Sequence, residues 1–356
     1  MPAKLRRRKQ PSVTVGSLET PRGEETCEQK DNATSGYREK ALQKAPLISV
    51  IVPSYNKPEY LPECLRSIQA QTFRDWECIV VSDGSPRVGE IRAAVTGMGD
   101  NRFRLVEHEV NRGPGAARNT GAKNARGRIL VFVDSDDIVA AAFLEKVAEA
   151  FREAPETSMV TTCLQRFGTE NRVIKKKIDG IGESILIRNQ FSPAGSLAVR
   201  TEFFRKVGGF TESSILKLGM EDTDFWIRAF EAGASHVMIE EPLYLYRSES
   251  GSLSDRLALD AHRVRKYLVE RHLKRHGSER ETAQFIAAGY RKASFASLKK
   301  RLFVRALRLR VGYLYWSRKS IGIRAAVREY IRFARSVYDA LWGGGEIVQK
   351  RTTPEV

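Results

Sequence analysis

The sequence predicts an α/β fold, a mainly parallel sheet flanked by helices and followed by a basic helical C-terminal extension. Three observations predict it. Short β-branched runs alternate with segments of helical spacing from Pro46 to Phe151, the pattern of right-handed β-α-β crossovers. The strand segments are apolar almost without interruption, as parallel strands covered on both faces must be. Beyond Ser254 the chain turns helical and cationic as far as about Trp342.

The elements follow in order. "LISVIVP" (Leu47 to Pro53) is the first strand, and "PEYLPECLRSIQAQ" carries apolar residues at helical spacing with Pro58 suited to a first turn. "WECIVVS" (Trp76 to Ser82) is the second strand, with a short polar helix from about Arg87 to Thr96 behind it. "RFRLVEH" is the third, "GPGAARNTGAKNA" a helix opening at Pro114, and "RILVFVD" the fourth strand before the helix "AAFLEKVAEAF". The alternation then weakens. "SMVTTCL" reads as a strand, followed by an irregular stretch to about Phe191 and a helix near "RTEFFRKVGGF". "GMEDTDFWIRAFEAG" is a helix ending at Gly233, and "HVMIEEPLYLYR" forms one or two strands.

Four regions result: a polar, charged segment over residues 1–45, the α/β unit over 46–254, the basic helices over 255–342 and a loose tail over 343–356. The first has too few large apolar groups to offset its ordering entropy and is expected to be disordered. No run of about 18 apolar residues is present, so no helix is expected to span a bilayer. The basic start lacks the apolar segment of a secretory signal. Cys27, Cys64, Cys78 and Cys163 are scattered, as expected of reduced thiols in a cytosolic protein. The expected location is cytoplasmic, with peripheral attachment to the inner face of a membrane as a further option. The net charge of +17 is concentrated between Arg291 and Val337, where Glu329 is the only acid. A field of that sign attracts phosphates of nucleic acid, anionic lipid or an acidic glycan.

The residues least suited to plain structure sit at the carboxyl ends of strands, where open parallel sheets bind ligands. "PSYN" (Pro53 to Asn56) follows strand one, "DGS" (Asp83 to Ser85) strand two and "DSDD" (Asp134 to Asp137) strand four. Each alone reads as a turn. The last packs three carboxylates into four positions, and two unit charges about 4 Å apart repel by roughly 1 kcal/mol in water and roughly 4 kcal/mol near a protein surface. A divalent cation bridging to a diphosphate would relieve that repulsion, since Mg²⁺ and Mn²⁺ take one or two protein carboxylates and let phosphates complete the shell. There is no Walker sequence and no G-x-G-x-x-G after strand one, which argues against P-loop NTPases and ordinary dinucleotide dehydrogenases. In "NRGPGAARNTG" the small residues Gly115, Ala116, Gly121, Ala122 and Ala125 suit close helix–sheet packing, whereas Arg118 and Asn119 have the reach to enter the rim.

Taken together, "ISVIVPSYNKPEYLPECLRSIQAQTF", "WECIVVSDGS", "NRGPGAARNTGAKNARGRILVFVDSDD", "GGF" (Gly208 to Phe210) and "EDTDFWIRA" (Glu221 to Ala229) resemble the family-2 glycosyltransferases of GT-A fold. The resemblance spans about Pro46 to Ser254. It implies transfer of a sugar from a nucleotide-diphosphate donor to a hydroxyl of a glycan or lipid-linked acceptor, with inversion. It further implies nucleotide binding by Pro53, Tyr55, Asn56, Asp83, Arg118 and Asp134, with Asp83 accepting from the base and uridine the favoured base. Asp134 and Asp136 match the D-x-D pair that holds Mg²⁺ or Mn²⁺. Asp137 matches a position that often follows the pair, and it also reads as a cap for the next turn. Glu221 and Asp222 match the family's catalytic acids, Asp222 as base and Glu221 to orient the acceptor or tune its neighbour. Placed at a helix N-terminus, both acids would also be favoured by charge–dipole attraction alone. One departure concerns the metal: where relatives often carry a histidine after "YR", "YLYRSESGSLS" places Glu249 or Ser248.

The alternative to an active transferase is a catalytically silent relative that binds nucleotide or glycan. Nucleic-acid binding is disfavoured, since no recognised RNA module accompanies the charge. The basic helices interleave Lys and Arg with apolar and aromatic residues, which suits either the headgroup region of an anionic membrane or packing on the preceding domain.

Overall fold

The computed structural model describes residues 45–174, 193–249, 253–273 and 278–342. The polar segment expected over residues 1–45, the irregular stretch expected to about Phe191 and the tail expected over 343–356 lie wholly or mainly outside them. The N-terminal half alternates as the sequence predicts: β1 (Ile48–Ser54), α1 (Leu61–Gln69), β2 (Trp76–Asp83), α2 (Val88–Thr96), β3 (Phe103–His108), α3 (Pro114–Asn124) and β4 (Ile129–Phe132). A two-residue strand β5 (Ile138–Val139), helix α4 (Phe143–Glu153), β6 (Met159–Gly168) and β7 (Arg172–Ile174) come next. Then follow β8 (Ala198–Arg200), α5 (Thr201–Val207), α6 (Glu221–Glu231) and β9 (His236–Ser248).

One sheet in the order β3-β2-β1-β4-β8-β6-β9-β5, with β7 paired to β6, holds these strands. The first four are mutually parallel, with Ile48 beside Trp76 and Ile129, and Asp83 beside His108. β8 enters antiparallel to β4 and β6, while β6 and β9 run parallel to each other. The expected one or two strands after Gly233 are therefore one long strand. β5, β7 and β8 have two or three residues each and carry too little alternation for a sequence pattern to register.

Successive residues of β1 feed opposite cores. Ile48, Val50 and Val52 pack with Leu61, Leu65 and Ile68 of α1 and with Phe143, Val147 and Phe151 of α4. Ile51 turns the other way, toward Ala117 and Ala122 of α3 and the aromatic group Phe204, Phe210, Phe225 and Trp226. The small residues of α3 are needed for that approach: a Cβ on Gly121 would lie 2.4 Å from Ile51 Cγ2. Phe225 and Trp226 are fully buried. At about 1.5–3 kcal/mol for each large apolar side chain, they seat α6 firmly on the sheet.

The C-terminal region forms α7 (Leu253–Leu268), a π turn (Val269–Leu273), α8 (Glu279–Lys299), α9 (Phe303–Ile321) and α10 (Ile323–Trp342). Ser278 and Glu281 build a capping box at the start of α8. Val264, Leu268, Phe285 and Ile286 close on Leu216, with Leu218, Met220 and Leu257 packed around them, so these helices back the loop that leads into α6. A second small core joins Leu298, Ala306, Phe333 and Val337 of α8, α9 and α10. None of the described helices is long and apolar enough to cross a membrane.

Candidate active site

A cavity of about 470 Å³ opens where the carboxyl ends of β1, β2 and β4 meet the start of α6. Its walls include Pro53, Tyr55, Asp83, Arg118, Asp134, Asp136, Glu221 and Asp222, residues the sequence places in four separate motifs. Asn56 is not on the wall. It adopts a left-handed conformation (φ 55°), and its backbone N–H donates to Ser85 Oγ, so it shapes the turn beside Tyr55.

Asp83 is buried, and its carboxylate organises the loop on its far side. Oδ1 accepts from Arg112 N (2.9 Å) and meets His108 Nδ1 (2.7 Å), while Oδ2 accepts from Gly113 N (2.7 Å). Asp83 thus fixes the entry into α3, the helix that carries Arg118. Asn119, expected to have the reach for the rim, instead clamps Phe210: its Oδ1 accepts from Phe210 N and its Nδ2 donates to Phe210 O, both at 2.8 Å.

Arg118 joins two of the motifs. Its Nη2 donates to Asp134 Oδ1 at 2.6 Å and its Nη1 to Glu221 Oε1 at 2.7 Å, with the guanidinium almost wholly buried. One positive charge therefore serves two carboxylates. The shared deficit falls on Glu221: burial drives its carboxyl up to about 7, against the pull of Arg118. Burial also works against the charge of Arg118, but Asp134 and Glu221 hold its pKa above the ordinary range. Asp222, the next residue, occupies a partly exposed place on the cavity wall, with Oδ1 accepting from Thr223 N at 2.6 Å.

The acidic triplet is relieved more locally than its sequence implies. Asp134 has Arg118. Asp136 Oδ2 lies 3.4 Å from Lys57 Nζ, and the same ammonium donates to Glu249, which also accepts from Tyr60 Oη at 2.6 Å. Burial works against the Lys57 charge, and Glu249 and Asp136 more than compensate, so its pKa is raised. Asp137 does not cap the following turn. It is buried and reaches across to β9, where Tyr244 Oη donates to Oδ2 and Arg247 N to Oδ1, each at 2.7 Å. A chain can crowd these three acids together because each has its own protein partner, so repulsion alone does not demand an ion.

The donor set nevertheless fits one kind of metal site. Magnesium and manganese commonly take one or two protein carboxylates and complete their shells with substrate phosphates and water. Asp136 is about one-third exposed and engages Lys57 through one oxygen, and Asp134 engages Arg118 through one oxygen. That is a partial shell. It is not an all-protein cage: among the described residues no group of three or more His, Cys, Asp or Glu is arranged to hold a metal. Glu249, one of the two residues read at the position after "YR", is tied to Lys57 and Tyr60.

Residues 49–210 match the model of glycosyl transferase family 2. The uncharacterized glycosyltransferase EpsJ of Bacillus subtilis is 32% identical over 238 residues, covering 62% of this chain and 68% of EpsJ. The chain belongs to glycosyltransferase family 2. Glycosyltransferase GlyG of Streptococcus pneumoniae is 30% identical over 224 residues, covering 58% of this chain and 72% of GlyG. In overall fold this family-2 glycosyltransferase is similar to S. aureus TarS, solved with UDP-GlcNAc (TM-score 0.57, 19% identity, 85% of this chain and 94% of the other). It is also similar to the mannosyltransferase PcManGT of Pyrobaculum calidifontis, solved with GDP-Man and Mn²⁺ (TM-score 0.51, 17% identity, 88% and 95%). Both likenesses place the transferase in the GT-A fold.

Sequence reasoning missed Lys57, Tyr60 and Arg247 at this site. Lys57 directly follows the "PSYN" motif, and its position there was the available signal. Tyr60 sits in the first turn toward α1 and Arg247 within β9, and neither stands out until the fold brings them to the acidic loop.

Proposed function

We propose that the protein is an inverting transferase that moves a sugar from a nucleotide-diphosphate donor, with uridine the favoured base, to a hydroxyl of a glycan or lipid-linked acceptor. The reading rests most on the contrast between two adjacent acids: Glu221 is clamped by Arg118, whereas Asp222 lines the cavity and is partly exposed. Asp222 is the base. As the acceptor oxygen attacks the anomeric carbon, its proton passes to the Asp222 carboxylate. The bond from that carbon to the diphosphate breaks, and its electron pair leaves with the diphosphate. Glu221, held through Arg118 to Asp134, keeps the start of α6 in register with the donor rim. Tyr55, Pro53 and Asp83 line the nucleoside end, with Asp83 also holding the loop from Asn111 to Gly113. Mg²⁺ or Mn²⁺, when bound by Asp136 and Asp134, supplies Lewis-acid neutralisation of the leaving diphosphate. A PcManGT complex containing Mn²⁺ and a TarS complex containing UDP-GlcNAc support the donor class by analogy of fold.

The test is an Asp222→Asn variant assayed with a panel of nucleotide sugars. Transfer should fall by about 10²–10⁴-fold, the usual worth of general-base catalysis, with UDP binding retained. Full transfer by Asp222→Asn removes the base assignment. The alternative, a silent binding protein, draws on the Lys57 ammonium lying between Asp136 and Glu249. Donor binding by wild type without any product, with Mg²⁺ or Mn²⁺ supplied, would select it.

The acceptor side also bears on placement. On α9, the exposed Val304, Val311 and Tyr315 share one face with Arg308 and Arg318. On α10, the exposed Val327, Ile331 and Tyr338 share a face with Arg324, Arg328 and Arg335. Such alternation fits the headgroup zone of an anionic membrane and thus a lipid-linked acceptor at a cytoplasmic, peripheral location. Cosedimentation with phosphatidylglycerol vesicles that weakens as salt rises is the expected result.

A further inference from the structure

We infer that Arg265 of α7 is an anion-binding residue for the acceptor, so that the acceptor carries a phosphate group beside the hydroxyl that receives the sugar. Arg265 lies outside the matched segment 49–210, yet it lines the catalytic cavity together with Leu257 and Ala261 of α7, Lys292 of α8 and Asp222. Its surroundings are unusual for an arginine. Nη1 donates to the Phe285 carbonyl at 2.9 Å, and the guanidinium sits 4.4 Å from the centre of the Phe285 ring. No carboxylate among the described residues forms an ion pair with it. The charged neighbour that acts on it is Arg291, of its own sign, and burial with that neighbour brings its pKa down to about 10. Arg265 is half-buried, and a guanidinium drawn partly out of water normally has an anionic partner, because an uncompensated charge is expensive to bury.

The residue is also held in place. A Cβ on Gly289 of α8 would lie 2.8 Å from Arg265 Cδ and 2.9 Å from His262 Cα, so the glycine lets α8 close on α7 and fix the arginine stem. Lys217 also lies on the cavity lining, but its Nζ donates to the Asn111 carbonyl at 2.5 Å, in the loop that Asp83 holds. The other arginines on the wall are already matched: Arg118 by Asp134 and Glu221, and Arg247 by Glu63. Arg265 is the arginine of this wall with no carboxylate partner among the described residues. Phosphate suits it better than a hydroxyl group because the planar fork of the guanidinium offers two parallel donors to two phosphate oxygens.

The inference rests on the reading that the Asp222 end of the cavity receives the acceptor. Phosphate has two possible sources here, the donor diphosphate and a phosphate on the acceptor, and the test separates them. Binding of inorganic phosphate to full-length protein already saturated with UDP and Mn²⁺ is measured by calorimetry, for wild type, Arg265→Gln and Arg265→Lys. UDP affinity is measured in parallel, and thermal melting verifies that each variant is folded. The expected result is phosphate binding to wild type, at least a tenfold loss in Arg265→Gln, a smaller loss in Arg265→Lys, which keeps the charge but gives up the paired donors, and unchanged UDP affinity in both. Phosphate binding that survives in folded Arg265→Gln, or is absent from wild type, overturns the inference. A tenfold fall in UDP affinity with Arg265→Gln also overturns it, by assigning the arginine to the donor. Because phosphate binding needs no turnover, these outcomes are independent of the Asp222→Asn assay.

Discussion

Replacing Arg118 with leucine removes the charge that holds two motifs together. Leucine fills much of the apolar space around the arginine stem, so the main loss is electrostatic. Asp134 and Glu221 lose donors at 2.6 and 2.7 Å, with the Glu221 side chain only 8% exposed. Removing one partner of a buried ion pair costs about 3–5 kcal/mol where the other charge stays buried without compensation, so the measurement is made well above the value of about 7 at which Glu221 takes up its proton. For a domain of this size each kcal/mol moves the melting temperature by about 2–4 °C, so Arg118→Leu should melt roughly 6–20 °C lower. Urea unfolding followed by circular dichroism gives the free energy, alongside calorimetric melting. Glu221→Gln and the double variant complete a thermodynamic cycle. If the loss comes from an uncompensated carboxylate, Glu221→Gln should be destabilising in wild type and restoring in Arg118→Leu, with a coupling of about 1–3 kcal/mol. A loss under about 1 kcal/mol, or additive effects around the cycle, would refute the shared-charge account of this site.

Asp224 offers a pH test. Burial pushes its carboxyl up, but hydrogen bonds from His272, Thr211 and Arg228 outweigh burial and leave it at about 2, against 3.8 unfolded. The unfolded chain therefore binds more protons between those values, so this contribution, roughly 2 kcal/mol, is present above pH 3.8 and lost as pH falls through about 2. The stability gap between wild type and Asp224→Asn should shrink over that window; a constant gap would contradict the assignment. Gly121→Ala sets a methyl against Ile51 and should destabilise by about 1–3 kcal/mol in urea melts. Lys57→Met removes a cation beside Asp136, so calorimetric Mn²⁺ affinity in the presence of UDP should rise roughly fivefold, the equivalent of about 1 kcal/mol. Weaker Mn²⁺ binding by that variant would show that Lys57 does not compete for the site.

The parallel half of the sheet was legible because its strands are long, β-branched and separated by helices of clear period. β8 was not, since Ala198 to Arg200 is too short to show a pattern and owes its pairing to β4 and β6. Within the site, the loops after β1, β2 and β4 could be placed by a rule about parallel sheets. The partners of their side chains could not: Glu249 meets Lys57 across 192 residues and Asp137 meets Tyr244 across 107. Asp137 shows the limit most plainly. By sequence it belongs to a turn, and only the arrival of β9 converts it into a cross-strand acceptor. Arg265 is similarly silent in sequence, one cation among many in a basic helix, and is distinguished only by having no carboxylate partner among the described residues.

The bond from Asp224 to His272 has a practical consequence for anyone wishing to graft specificity between relatives. Asp224 lies in the first turn of the helix that bears Asp222, and His272 belongs to the turn after α7, so the start of α6 is supported partly by sequence well downstream of the recognisable motifs. A chimera spliced soon after β9 would inherit every signature residue and still bring a foreign wall against its own Asp222. Exchange of residues 211–300 as one block keeps that wall and the acid it supports from the same parent.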